Sequence, residues 1–159
     1  MIGTILLVGI TVVLAATLYV MVFGLGGGST NSPPVGSVTK SSVTDGFKFT
    51  FTPMSTDTLW SSIYIIISDG TGAATFKNFS TPALSTSHPT TVSLGSRACG
   101  TLTLFMNVTD LAGNGYVNQG DSVTVTTSGG QFSNQVTYEL YLMHGPTGSQ
   151  IASLPFQGD

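Results

Sequence analysis

The chain has 159 residues, enough for one domain plus an appendage, and its hydrophobic share of 41% is ordinary for a globular protein. Its charged share is only 7%, with a net charge of −3, while 24 Thr and 19 Ser supply the polarity. About 25% charge is usual, so this is not a surface kept soluble by charge; it suits one that packs on copies of itself or carries sugars.

No basic patch is present, which argues against nucleic acid as a partner. The single cysteine, Cys99, cannot form an intrachain disulfide. It reads as a small buried apolar residue beside a strand, the other reading being an exposed thiol that cross-links subunits.

The first 39 residues carry no charged side chain. Within them, residues 2–25 are almost wholly apolar. As an α-helix this run spans about 36 Å at 1.5 Å per residue, enough for a bilayer core of about 30 Å. Apolar residues cover every face, so every face must meet lipid or other apolar helices. No basic n-region precedes the run and no A-x-A-like site closes it, unlike a secretory signal peptide. A basic leader removed from in front of Met1 is the expectation. Thr4, Val8, Thr11 and Ala15 share one helix face. Gly3, Gly9 and Ala16 widen that narrow surface, and small residues let helix backbones approach closely. Thr hydroxyls can bond the carbonyl one turn back and need no partner in such a core. These residues fit equally a helix bundle or a lone lipid anchor.

The run from Ile2 to Ala16, IGTILLVGITVVLAA, continued by Leu18-Tyr19-Val20-Met21, resembles the N-terminal segment of archaeal type IV pilins. The resemblance covers about 24 residues. It implies a precursor with a short basic leader cut by a prepilin peptidase. It also implies mature helices bundled into a filament core, and extrusion by a membrane platform and an ATPase. That family usually has a Ser-Pro-Val-like stretch before the Ile-Gly pair, where this chain has Met1. Bacterial pilins carry a glutamate near the start, but no acid precedes Asp45 here. Assembly would therefore rest on apolar packing. Archaellins, the motility-filament relatives, differ in this helix.

Residues 26–34, Gly-Gly-Gly-Ser-Thr-Asn-Ser-Pro-Pro, read as a linker that ends the helix: Gly favours termination and Pro-Pro cannot continue it. Residues 35–159 then read as a separate domain. Phe47-Lys48-Phe49-Thr50-Phe51-Thr52 alternates with period two, as a half-buried strand does. Residues 59–67 form a longer β-branched run expected to be a central strand. Further strands are expected over 73–79, 90–94, 101–108, 122–127, 135–143 and 150–154, with an early one over 37–43. Turn clusters at 69–72, 113–115, 128–130 and 145–148 separate them. Seven to nine short strands predict an antiparallel sandwich of immunoglobulin-like type. The stretch 110–116 followed by Gly120-Asp121 also resembles loops of archaeal pilins and related surface domains.

Asp110, Asn114, Gly115 and Asp121 fall at positions 1, 5, 6 and 12 of a calcium-loop spacing. Position 3 is Ala112, which has no side-chain ligand, and no flanking helices are expected. Asp110, Asn114 and Asp121 are thus weak calcium candidates, against a hairpin in which Asn114-Gly115 supplies positive φ. Asn78-Phe79-Ser80 and Asn107-Val108-Thr109 are N-glycosylation sequons. His88 and His144, the only histidines, sit beside turns, and Glu139 is the only glutamate. No nucleophile motif, paired metal-ligand spacing, phosphate loop or dinucleotide fingerprint occurs, so no enzyme activity, cofactor or metal is expected. Trp60, Phe47, Phe49, Phe51, Tyr64, Phe105, Tyr138 and Tyr141 read as core by their alternation, the alternative being a sugar-binding platform.

The expected architecture is α+β in a pilin arrangement, with a core helix over 1–25, a linker over 26–34 and a β-sandwich over 35–159. The expected function is a structural subunit of an extracellular filament, partnered by itself, the assembly machinery and prepilin peptidase. Its precursor would sit in the cytoplasmic membrane. The alternatives are a membrane-anchored immunoglobulin-like binding protein and an archaellin-like motility subunit.

Overall fold

A computed structural model describes residues 3, 11, 12, 15, 32–77, 79 and 88–159. The chain divides into two compact units, Met1–Ser32 and Pro33–Asp159. In the first, Gly3, Thr11, Val12 and Ala15 are helical and exposed. The rest of the expected helix, with Thr4, Val8, Gly9 and Ala16, lies outside the described residues, as do residues 26–31 of the linker.

Among the described residues the second unit has nine strands: β1 (Val38–Val43), β2 (Gly46–Phe51), β3 (Ile63–Ser68), β4 (Ala73–Phe76), β5 (Thr90–Cys99), β6 (Leu102–Asp110), β7 (Ser122–Ser128), β8 (Tyr138–His144) and β9 (Ser149–Phe156). They form a five-stranded sheet in the order β1-β2-β7-β6-β5 and a four-stranded sheet in the order β4-β3-β8-β9. Every pairing is antiparallel. Alternation sets which residues face inward. Phe47, Phe49 and Phe51 of β2 are buried, while Lys48 and Thr50 between them are half-buried. Ile63, Ile65 and Ile67 of β3 and Tyr138, Leu140 and Leu142 of β8 supply the facing layer. Both sheets thus turn apolar faces to one core, an arrangement compatible with a β-sandwich.

Several expected strands differ at their ends: the one expected over 73–79 stops at Phe76, and three others differ for a local reason. The run over 59–67 begins as strand only at Ile63, because Trp60–Ser62 forms a 3-10 turn. That turn swings the Trp60 indole into the core, 5.5 Å from the Phe51 ring and 5.6 Å from that of Phe79. The strand expected from 135 begins at Tyr138. Ser133 ties residues before it into a turn, its hydroxyl accepting from the Gln135 amide. The strand expected to stop at Leu94 continues to Cys99. A bulge between Ser93 and Ser96 absorbs Gly95 at φ +76°, so glycine there bends the strand without ending it. The expected turn at 69–72 is built on Asp69. Its Oδ1 accepts from the amides of Gly72 (2.7 Å) and Thr71 (2.8 Å), and these bonds hold its carboxyl below the usual carboxylate range.

Phe49→Ala is expected to lower the unfolding free energy by about 3–5 kcal/mol, because its fully buried ring leaves a cavity. Thr124→Ala, on an outward position of β7, is expected to change it by about 0.5 kcal/mol or less. Urea unfolding followed by the fluorescence of Trp60, the single tryptophan, reads both.

Candidate functional site

The loop between β6 and β7 is organised by two buried carboxylates. Asp110 closes β6 and Asp121 precedes β7, and both are fully buried. Asp110 Oδ1 accepts from the Gly113 amide at 2.7 Å and Oδ2 from the Gly115 amide at 2.9 Å. Asp121 Oδ1 accepts from the Leu111 amide at 2.9 Å and Oδ2 from the Asn118 amide at 2.7 Å. Each carboxylate oxygen therefore has a backbone donor, which is what makes burying the charge tolerable. Burial is the main cause raising the Asp121 pKa; the Asn118 and Leu111 amides oppose it, and the nearby Asp110 charge adds to it.

The calcium-spaced residues are thus arranged as a clasp on their own loop. The Asn114 side chain is exposed, and its Oδ1 accepts from the Tyr116 amide and from Asn118 Nδ2. Among the described residues no three His, Cys, Asp or Glu side chains gather as a metal site would require. Positive φ is supplied by Gly113 (+61°) and Gly115 (+79°), not by Asn114. A Cβ at Gly113 would stand 2.1 Å from the His88 carbonyl oxygen, so that position also needs glycine for space. Backbone bonds from Gly120 to Phe51, from Trp60 to Gly115 and from Val117 to Thr58 seat the loop on its neighbours.

The other singled-out residues lie apart. Asn78 is outside the described residues. Asn107 is half-buried and points outward from β6, opposite Ser93 and Thr124. Cys99 is buried against the Ile67 carbonyl, and burial pushes its thiol pKa up. His144 Nδ1 lies 2.8 Å from Thr147 Oγ1, within the turn that joins β8 to β9.

The aromatic residues separate into two groups. Trp60, Phe47, Phe49, Phe51 and Tyr138 are core. Tyr64, Tyr141 and Phe105 are not; they stand on the outer faces of the sheets, which differ sharply in chemistry. On the four-stranded sheet, Tyr64 and Ile66 of β3 pair directly with Met143 and Tyr141 of β8, all half-buried. Lys77 Nζ sits 5.1 Å from the centre of the Tyr64 ring. Tyr141 donates its hydroxyl to Glu139 Oε2 at 2.5 Å, which raises the tyrosine pKa. On the five-stranded sheet the outward positions are mainly hydroxyls, such as Thr50, Thr103, Thr124 and Thr126, and the hydroxyls of Thr91 and Thr109 meet at 3.0 Å. Phe105 stands among them, 38% exposed, and Lys48 is the one charged residue at an outward strand position there. Alternation within strands identifies five of the eight expected core aromatics and misplaces Tyr64, Phe105 and Tyr141. The signal left unread was that β3 and β8 are apolar at both parities.

Residues 1–37 match the family model described as archaeal type IV pilin, N-terminal. No curated protein matches the chain.

Asp110→Ala would strand the Gly113 and Gly115 amides in a buried site. Each costs about 1–3 kcal/mol, so a loss of roughly 2–6 kcal/mol in urea unfolding is the expected outcome. Millimolar calcium is expected to leave the wild-type unfolding midpoint in place, since the carboxylate oxygens already serve the loop.

Proposed function

We propose that this chain is a structural subunit of an extracellular archaeal type IV pilus-like filament, polymerising through its N-terminal segment and serving surface adhesion. The carrying observation is the match over residues 1–37 to an archaeal type IV pilin N-terminal model. It coincides with a stretch that holds no charge before Lys40 and is apolar over 2–25. In this reading a prepilin peptidase processes the precursor in the cytoplasmic membrane, and the assembly machinery moves the helix from lipid into a helical array. Gly3, Thr4, Val8, Gly9, Thr11, Ala15 and Ala16 allow close backbone approach there, where packing and not water expulsion drives association. Residues 26–34 link this core to the outer domain.

The outer domain is read as an immunoglobulin-like head. Supporting this, β1-β2-β7-β6 faces β4-β3-β8-β9, the two-sheet pattern of such domains, with β5 added beyond β6. The role is mechanical rather than catalytic: a two-sheet body coats the core and meets surfaces.

Filaments sheared from cells, imaged by electron microscopy and identified by mass spectrometry, are expected to consist of this chain. Ala15→Lys is expected to abolish them and leave the chain in the membrane fraction, because an unpaired ammonium cannot enter an apolar helix bundle. A wild-type chain that remains a membrane-bound monomer overturns the reading in favour of an anchored binding module.

A further inference from the structure

We propose that the outer face of the four-stranded sheet, centred on Ile66 and Tyr141, docks onto a second copy of this chain, on the outer face of its five-stranded sheet around Phe105. This rests on the filament reading above.

An antiparallel sheet with one face in water alternates apolar and polar residues. Strands β2, β6 and β7 largely obey this, with Lys48, Thr50, Thr103, Thr124 and Thr126 outward. Strands β3 and β8 do not. Tyr64, Ile66, Tyr141 and Met143 form two directly opposed pairs on the outer side, a contiguous apolar block in the middle of a sheet whose inner side is already core. Such a block marks a surface meant to be covered. Two charges border it, Lys77 over Tyr64 and Glu139 on Tyr141, while Ile66 and Met143 at its centre carry none.

The five-stranded face has the properties of a cover. Its hydroxyls can bond one another, as Thr91 and Thr109 do. Burying them costs far less than burying charge. Phe105 offers an exposed ring as an apolar anchor. Its one charge, Lys48, has no side-chain partner among the described residues and complements Glu139 on the opposing face. The two faces belong to opposite sides of one domain, so the contact is heterologous. Such a contact repeats from copy to copy and, where its rotation closes no ring, extends as a filament requires. One sheet face is a small interface, but subunits held side by side by their N-terminal segments meet at high effective concentration.

The test is made on filaments sheared from cells that produce cysteine variants; the wild type, whose Cys99 is buried, is the control. A chain carrying both Ile66→Cys and Phe105→Cys is expected to give a ladder of covalent oligomers with a short bismaleimide, and each single variant none. Cys at position 66 is expected to resist a polyethylene glycol maleimide in filaments and to react after their dissociation. A second pair, Tyr64→Cys with Thr103→Cys, serves if the first does not assemble, with the same ladder expected. Filaments in which position 66 labels fully leave the face open to some other ligand and overturn the proposal. Dimers from Ile66→Cys alone also overturn it, since they mean like faces meet. So does a glycan on Asn107, two residues from Phe105 on the same face. Absence of wild-type filaments overturns the filament reading itself, and this inference with it.

Discussion

The second unit depends on an aromatic seam between its sheets. Phe156 of β9 receives the rings of Phe47 and Phe49 at 5.2 Å and those of Phe132 and Tyr138 at 5.5 Å. The first hairpin and the last strand are thereby joined. Along the side where these edges approach, Lys40 reaches the Gln157 carbonyl and lies 4.3 Å from the Phe47 ring centre. With so few charges in the chain, ring packing and not ion pairing must fix how the sheets sit on each other. Rings suit this, because each buries a large area and edge-to-face contacts add specific geometry.

The same shortage of charge explains the clasp at the far end of β6. A loop of eleven residues, 111–121, has many backbone amides to satisfy and few side chains to do it. Asp110 and Asp121 take two amides each, and three glycines at positive φ, Gly113, Gly115 and Gly120, give the loop its tight path. Burying two carboxylates near one another raises the Asp121 pKa. That cost is tolerated because removing either acid would take the acceptor from two backbone amides, those of Gly113 and Gly115 being buried.

Much of this was legible in the sequence. The period-two runs gave the inward phenylalanines of β2 and the isoleucines of β3, and the Gly-Asp and Gly-Pro clusters gave the turns. Alternation is a local property, so local reading finds it. What failed to show was set by distant partners. Trp60 leaves its strand to reach Phe51 and Phe79, and β5 runs through Gly95 because β6 pairs with it on both sides of the bulge. The calcium-like spacing of Asp110, Asn114 and Asp121 was visible, but spacing does not say that backbone amides already occupy the carboxylates.

The outer faces carry the functional consequence. A head with ordinary charge would keep its neighbours apart by repulsion and hydration. Here the five-stranded face is hydroxyl-rich and nearly neutral, and the four-stranded face is apolar at its centre. Neither face resists contact, and they differ enough that one does not simply pair with its own kind. A polymer also needs its outer domains to avoid sticking in arbitrary registers. A shallow hydroxyl sheet with one exposed ring, met by a block of two opposed apolar pairs, limits the registers that bury the ring. In the proposed filament, low charge would make contact between copies cheap, and the unequal faces would give that contact a direction.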